Sequence, residues 1–173
     1  PNPVATVGII TYNDETRLLS CIWSLSENKS KYPFEIIGIN NRSKDHSEEI
    51  FIRTGVPCYN ESRKGCSAAR QCGLDNARGK YYICIDSDTI YPPNYVEMVI
   101  NAFERYNPVV VNVSHNIIYK NNKARVKFFF YDFFRDIYSR LISIKRPELA
   151  VRGFVFSINT EFGRKIGFRL ELI

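Results

Sequence analysis

The 173-residue sequence predicts an α/β fold, with a mainly parallel, Rossmann-like sheet flanked by helices, and three observations carry that expectation. Apolar, β-branched runs of strand length recur at "VATVGIIT", "FEIIGIN" and "YYICI". Stretches with helical spacing of apolar residues separate them, the alternation that builds doubly wound sheets. Each run ends in polar residues: Tyr12 and Asn13, Asn40 and Asn41, Asp86 and Asp88. Ligands of such sheets sit outside the carboxyl ends of the strands, so these three ends are expected to converge on one crevice.

The elements follow in order. "VATVGIITYN" (Val4 to Asn13) reads as a buried strand, and "TRLLSCIWSLSEN" as a helix with Leu18, Leu19, Ile22 and Leu25 on one side. "FEIIGIN" (Phe34 to Asn40) is the second strand, and a short helix after "NRSKDH" stops at Gly55. "VPCYN" is a short strand, "GCSAARQCGLDNARG" a small-residue helix closed by Gly79, and "YYICI" the strand that delivers Asp86. "PPNYVEMVINAFERYN" predicts a helix with proline in its first turn, and "PVVVNVSHN" a further strand.

The length suits about one domain, since domains commonly run to roughly 100–200 residues. Hydrophobic residues at 45% and charged residues at 24% exclude a disordered chain. The balance of 24 Lys and Arg against 18 Asp and Glu, a net charge of +6, suits anionic partners: nucleotide diphosphates, nucleic acid or an acidic membrane surface. Five cysteines (Cys21, Cys58, Cys66, Cys72, Cys84) without C-x-x-C spacing read as reduced thiols in a cytosolic setting, not as a disulfide framework or a zinc site. No apolar run has the roughly 18 residues of a membrane span, and "PNPVATVGII" lacks the basic start of a signal peptide. A chain that lacks an initial Met and enters a strand at once reads as trimmed. His46 and His115, single and far apart, read as core or surface residues.

Asp86 and Asp88 stand at i and i+2, where two carboxylates repel unless a cation or tight hydrogen bonding holds them. One reading has them cap a turn; the other has them hold Mg²⁺ or Mn²⁺ against a substrate diphosphate. "TYNDET" reads as a helix start, and equally as Thr11 and Tyr12 lining a base and ribose. In "RKGCSAAR", Gly65 opens a helix whose small residues Ser67, Ala68 and Ala69 leave room for a ligand. Arg70 is expected to meet phosphate or a strand-end carboxylate, whereas Arg63 and Lys64 read as solvated charge. Along Ala124 to Arg146 a helical wheel places Asp132, Asp136, Ser139, Arg140 and Ser143 on one face and Val126, Phe130, Phe133, Ile137 and Leu141 on the other. That segment is either an amphipathic helix packed on the sheet or a contact to an acceptor or membrane surface.

Taken in series, "TYNDETRLLSCIWSL", "EIIGINNRSKDHS", "RKGCSAARQCGLDNARGKYYICIDSD" and "GFVFSINTEFGRKIGF" resemble the family 2 glycosyltransferases of the GT-A fold. The resemblance implies metal-dependent, inverting transfer of a sugar from a UDP- or GDP-sugar to a glycan, lipid-linked or polysaccharide acceptor, with Mn²⁺ or Mg²⁺ as cofactor and no nucleic acid partner. By position it assigns Thr11, Tyr12, Asn13, Asn41, Arg70 and Asp86 to the donor nucleotide, and Asp88 with Asp86 to the metal. It divides the chain into a nucleotide-sugar part, 1–118, and an incomplete acceptor-side part, 119–173, with Gly153 opening the stretch that borders the acceptor. It also implies a cytoplasmic protein, peripheral at the inner membrane face.

Two positions depart from the family pattern. Asn40 and Asn41 stand where acidic residues are usual, and the usual acidic motif of the catalytic base is expected beyond Ile173, with Glu171 outside that motif. A nucleotidyltransferase would show a glycine-rich basic loop after the first strand, which "TYNDET" is not. A catalytically silent nucleotide-sugar module is the other alternative.

Overall fold

The computed structural model describes residues 2–113, 133–134, 137–138, 141 and 155–168. The elements run β1 (Ala5–Thr11), α1 (Glu15–Ser26), β2 (Phe34–Asn40), α2 (Ser47–Arg53), β3 (Cys58–Asn60), α3 (Cys66–Asn76), β4 (Tyr81–Asp86), α4 (Tyr95–Tyr106), β5 (Val110–Val111), β6 (Phe156–Asn159) and α5 (Thr160–Ile166). The six strands form one sheet in the order β3-β2-β1-β4-β6-β5. β1 pairs in parallel with β2 and β4, and β2 with β3. β6 runs antiparallel to β4 and to β5.

The central strands β1 and β4 are mostly apolar and buried along nearly their whole length because both faces are covered. Every residue of β1 is buried, and in β4 the run Tyr81 to Ile85 is buried too. Fully enclosed aliphatic side chains such as Val7, Ile9 and Ile83 each contribute about 1.5–3 kcal/mol. Two glycines make room for the largest of the buried side chains. A Cβ at Gly73 of α3 would lie 2.1 Å from the Tyr82 hydroxyl, and one at Gly8 of β1 would lie 2.6 Å from the same ring.

Several expectations change in detail. α3 ends at Asn76 rather than at Gly79; Gly79 instead lets the backbone pass β1, since a Cβ there would meet the Ala5 carbonyl carbon at 2.5 Å. Thr6 Oγ1 accepts hydrogen bonds from the Arg78 and Gly79 amides at 3.0 and 2.8 Å, which fixes that approach. Pro92 and Pro93 precede α4 instead of occupying its first turn, and Asn94 is the capping position. β5 is only two residues long because it is the outermost strand, and β6, drawn from "GFVFSI", stands between it and β4.

By its internal contacts the chain divides into two units, Pro1–Val111 with Phe154–Ile173, and Asn112–Gly153. Among the described residues of the second unit, Asn112 and Val113 are not helical, while Phe133, Phe134, Ile137, Tyr138 and Leu141 are helical and exposed. Three of them belong to the apolar face of the helical wheel. Among the described residues, no helix is long and apolar enough to cross a membrane.

Candidate functional site

Strand order creates the site. From β1 the chain winds outward through β2 and β3, then returns across β1 to β4, so the direction of winding reverses between β1 and β4. Helices following the two strands diverge there and leave a crevice at the carboxyl ends. Register brings the polar ends level: Thr11 lies opposite Asn40, and Ile10 opposite Asp86. The Ser87 amide then donates to the Ile10 carbonyl at 3.2 Å, carrying the pairing one residue past the strand.

Asp86 is anchored through its main chain. Its carbonyl accepts from the Tyr91 hydroxyl at 3.3 Å and from the Cys21 thiol at 3.7 Å. Burial pushes the Asp86 carboxyl up from 3.8 to about 6; Arg70 pulls it down and the Asp88 charge pushes it further up. Such an environment calls for positive charge. Arg70 projects from α3, with its guanidinium 5.7 Å from the Phe156 ring centre. Asp88, two residues on, is half exposed, and its Oδ2 lies 3.4 Å from Arg17 Nη1.

The loop after β1 is clasped to the loop after β2. The Asn13 amide donates to Ser43 Oγ at 3.0 Å, and the Lys44 amide donates to Asn13 Oδ1 at 2.7 Å. Asn13 adopts a left-handed backbone with φ of 49°, which asparagine tolerates better than most residues. This turn leaves Tyr12 exposed over the strand ends. Thr11 is buried, and its Oγ1 has no hydrogen-bond partner among the described residues.

Asn40 and Asn41 are buried and engaged. Asn40 Nδ2 donates to Asn60 Oδ1 at 2.8 Å, and the Ser43 amide donates to Asn40 Oδ1 at 3.1 Å. Asn41 Nδ2 donates to the carbonyls of Glu61 and Arg63 at 3.2 and 2.6 Å, while its Oδ1 accepts from the Gly65 amide at 3.2 Å. Both amide protons of Asn41 are therefore spent on the loop that leads into α3, leaving one acceptor lone pair and the loop's shape for a ligand. Arg63 closes on Glu61 with contacts of 3.0 and 2.7 Å, and this pairing holds the Glu61 carboxyl below the usual range. His46 sits on the surface, 3.3 Å from Glu49. His115, Gly153 and Glu171 lie outside the described residues.

Sequence reasoning missed a buried link. Asp14 occupies the capping position of α1 but makes no side-chain cap bond. Its Oδ2 instead accepts from Ser87 Oγ at 2.6 Å, and its Oδ1 from Arg17 Nε at 2.5 Å. A capping aspartate is so common at a helix start that nothing in "TYNDET" marks it as a partner of the loop at residue 87.

A divalent cation is a chemical fit for this donor set. Asp86 and Asp88 offer hard oxygen ligands, and among the described residues no third His, Cys, Asp or Glu joins them to complete a protein cage. Mg²⁺ and Mn²⁺ sites of that kind take their remaining ligands from substrate phosphate and water.

A family model described as glycosyl transferase family 2 matches residues 6–161. The chain belongs to this family. An uncharacterized glycosyltransferase of Rickettsia prowazekii is 31% identical over 121 residues, covering 68% of this chain and 38% of that protein. Among solved structures, a mannosyltransferase from Pyrobaculum calidifontis, in complex with GDP-mannose and Mn²⁺, aligns with a TM-score of 0.74 at 17% identity. It covers 99% of this chain and 49% of that one. Glucosyl-3-phosphoglycerate synthase from Mycobacterium tuberculosis, in complex with Mn²⁺, UDP-glucose and phosphoglyceric acid, aligns at 0.65 and 19% identity, covering 92% and 57%. These likenesses establish the GT-A fold of the family 2 chain, which spans well under two thirds of the length of each of these proteins.

Proposed function

We propose that the family 2 chain binds a nucleoside diphosphate sugar across the carboxyl ends of β1, β2 and β4 and serves its inverting transfer to an acceptor hydroxyl. The observation that carries this reading is the placement of Asp86 at the β1–β4 reversal, half-buried, raised to about 6 and facing the charge of Arg70, with half-exposed Asp88 two residues away. Thr11, Tyr12 and Asn13 line the base and ribose side, with Asn41 shaping the loop beneath. Asp86 supports the ribose, and Arg70 presents its planar fork toward the nucleotide. Asp88, with Asp86, would hold Mg²⁺ or Mn²⁺ on the diphosphate, supplying positive charge to the leaving group. The solved structures in complex with a nucleotide sugar and Mn²⁺ support this assignment.

Calorimetry with UDP and GDP, in Mn²⁺ and then in chelator, tests the reading. Binding that depends on the metal and is lost in Asp88→Asn is expected; nucleotide binding indifferent to both would overturn it.

The acceptor side includes a membrane-surface contact. Phe133, Phe134, Ile137, Tyr138 and Leu141 are exposed, and 120–146 holds eight Lys and Arg against two Asp, so the chain's whole net charge of +6 resides there. Exposed aromatics among basic residues suit an anionic bilayer. Flotation with phosphatidylglycerol vesicles but not with phosphatidylcholine vesicles is the expected result; no flotation with either would refute the contact.

A further inference from the structure

We propose that Arg17 is the resident counter-cation of Asp88, holding that carboxylate until a divalent cation arrives together with the donor diphosphate. The inference rests on the metal assignment above and adds an order of binding to it. Arg17 is no loose surface charge: its Nε is bound to Asp14 Oδ1 at 2.5 Å. Asp14 is itself buried and accepts from Ser87, the residue between the two site aspartates. The guanidinium is thus fastened to the same loop whose carboxylate it contacts, through Nη1 to Asp88 Oδ2 at 3.4 Å. The other Asp88 oxygen accepts from the Thr89 hydroxyl at 3.3 Å.

Two guanidinium groups consequently offset two of the three carboxylate charges around the loop before any ligand binds. Arg17 stands against Asp14 and Asp88, and Arg70 against Asp86. A bare divalent cation entering here has to displace a guanidinium from Asp88 and then remain beside it. Like charges a few ångströms apart repel, even with water present. A diphosphate changes the balance, because its oxygens give the released Nη1 a new acceptor and neutralise the added charge. Pinned through Nε, Arg17 turns toward that acceptor without losing its hold on Asp14. Since the Arg17–Asp88 contact is solvent-exposed, its effect is a factor of a few and not an absolute block.

Mn²⁺ titration followed by electron paramagnetic resonance, without nucleotide and then with UDP, tests the order on the intact chain. Arg17→Gln is expected to tighten binding of Mn²⁺ alone by about two- to fivefold, and to shrink the gain that UDP confers. Arg17→Lys, which keeps the charge but cannot serve Asp14 and Asp88 at once, is expected to fall between the two. Asp88→Asn should abolish Mn²⁺ binding in either background. Unchanged or weakened Mn²⁺ affinity in a folded Arg17→Gln protein, with Asp88→Asn still abolishing it, would overturn the role of Arg17 and leave the metal site standing. Should Asp88→Asn leave Mn²⁺ binding intact, the metal assignment itself falls. If Arg17→Gln unfolds, Arg17→Lys alone decides: affinity for Mn²⁺ at or below that of the parent refutes the proposal.

Discussion

Ser87 Oγ donates a 2.6 Å hydrogen bond to Asp14 Oδ2, joining the loop after β4 to the start of α1 across 73 residues of chain. Both residues are buried, and the acceptor is a carboxylate. Ser87→Ala removes the donor that this carboxylate oxygen binds. A loss of about 1.5–3 kcal/mol is expected for a hydrogen bond to a charged group, read by chemical denaturation. A smaller loss than about 0.5 kcal/mol would mean that water replaces the hydroxyl.

Asp86 places stability and ligand binding in opposition. Its folded value of about 6 lies above the ordinary 3.8, so the folded chain holds this proton more tightly than the unfolded chain. The contribution is fully present below 3.8 and is lost as pH rises through about 6. A difference of roughly two pH units corresponds to at most about 3 kcal/mol. Asp86→Asn is therefore expected to be the more stable protein at pH 7–8 in chelator, converging with the parent near pH 4. Equal stability at both pH values would show that Asp86 is not strained by burial.

Arg70 separates two roles by chemistry. Arg70→Lys keeps a positive charge near Asp86 but loses the fork, so UDP or GDP affinity is expected to fall on the order of tenfold. Unchanged affinity with a lowered melting temperature would assign Arg70 to packing against Phe156 alone.

The Tyr82 ring gives a prediction remote from the site. Gly73→Ala drives a methyl to within 2.1 Å of the Tyr82 hydroxyl, and overpacking of this kind costs about 1–3 kcal/mol. Adding Tyr82→Phe removes the atom in closest conflict, so the double variant should recover part of the loss in thermal melts. No recovery would place the strain in the backbone.

The parallel half of the sheet was legible because its strands are buried on both faces and therefore spell continuous apolar runs. Asp86 and Asp88 were legible for the same reason, being charges at the end of such a run. β6 was not. "FSIN" is four residues lodged between β4 and β5, and its place next to β4 depends on long-range pairing that no local period encodes. Asn41 reads as a polar turn residue, yet its three hydrogen bonds to the α3 loop come from residues 20 or more positions away. Asp14 was hidden differently: its local role as a helix start was sufficient explanation for its presence, so its bond to Ser87 left no trace in the sequence.

β5 and β6 pair antiparallel, Val110 opposite Ile158 and Val111 opposite Ser157. Chain that leaves the sheet at Val111 thus re-enters beside its own point of departure, about 5 Å away across one ladder. The excursion between is closed at its base like a purse by a drawstring. Its two ends are fixed by the outermost ladder of the sheet, at the opposite edge from β3. A segment closed at such a base can change in length or sequence while β1, β2 and β4 keep their register.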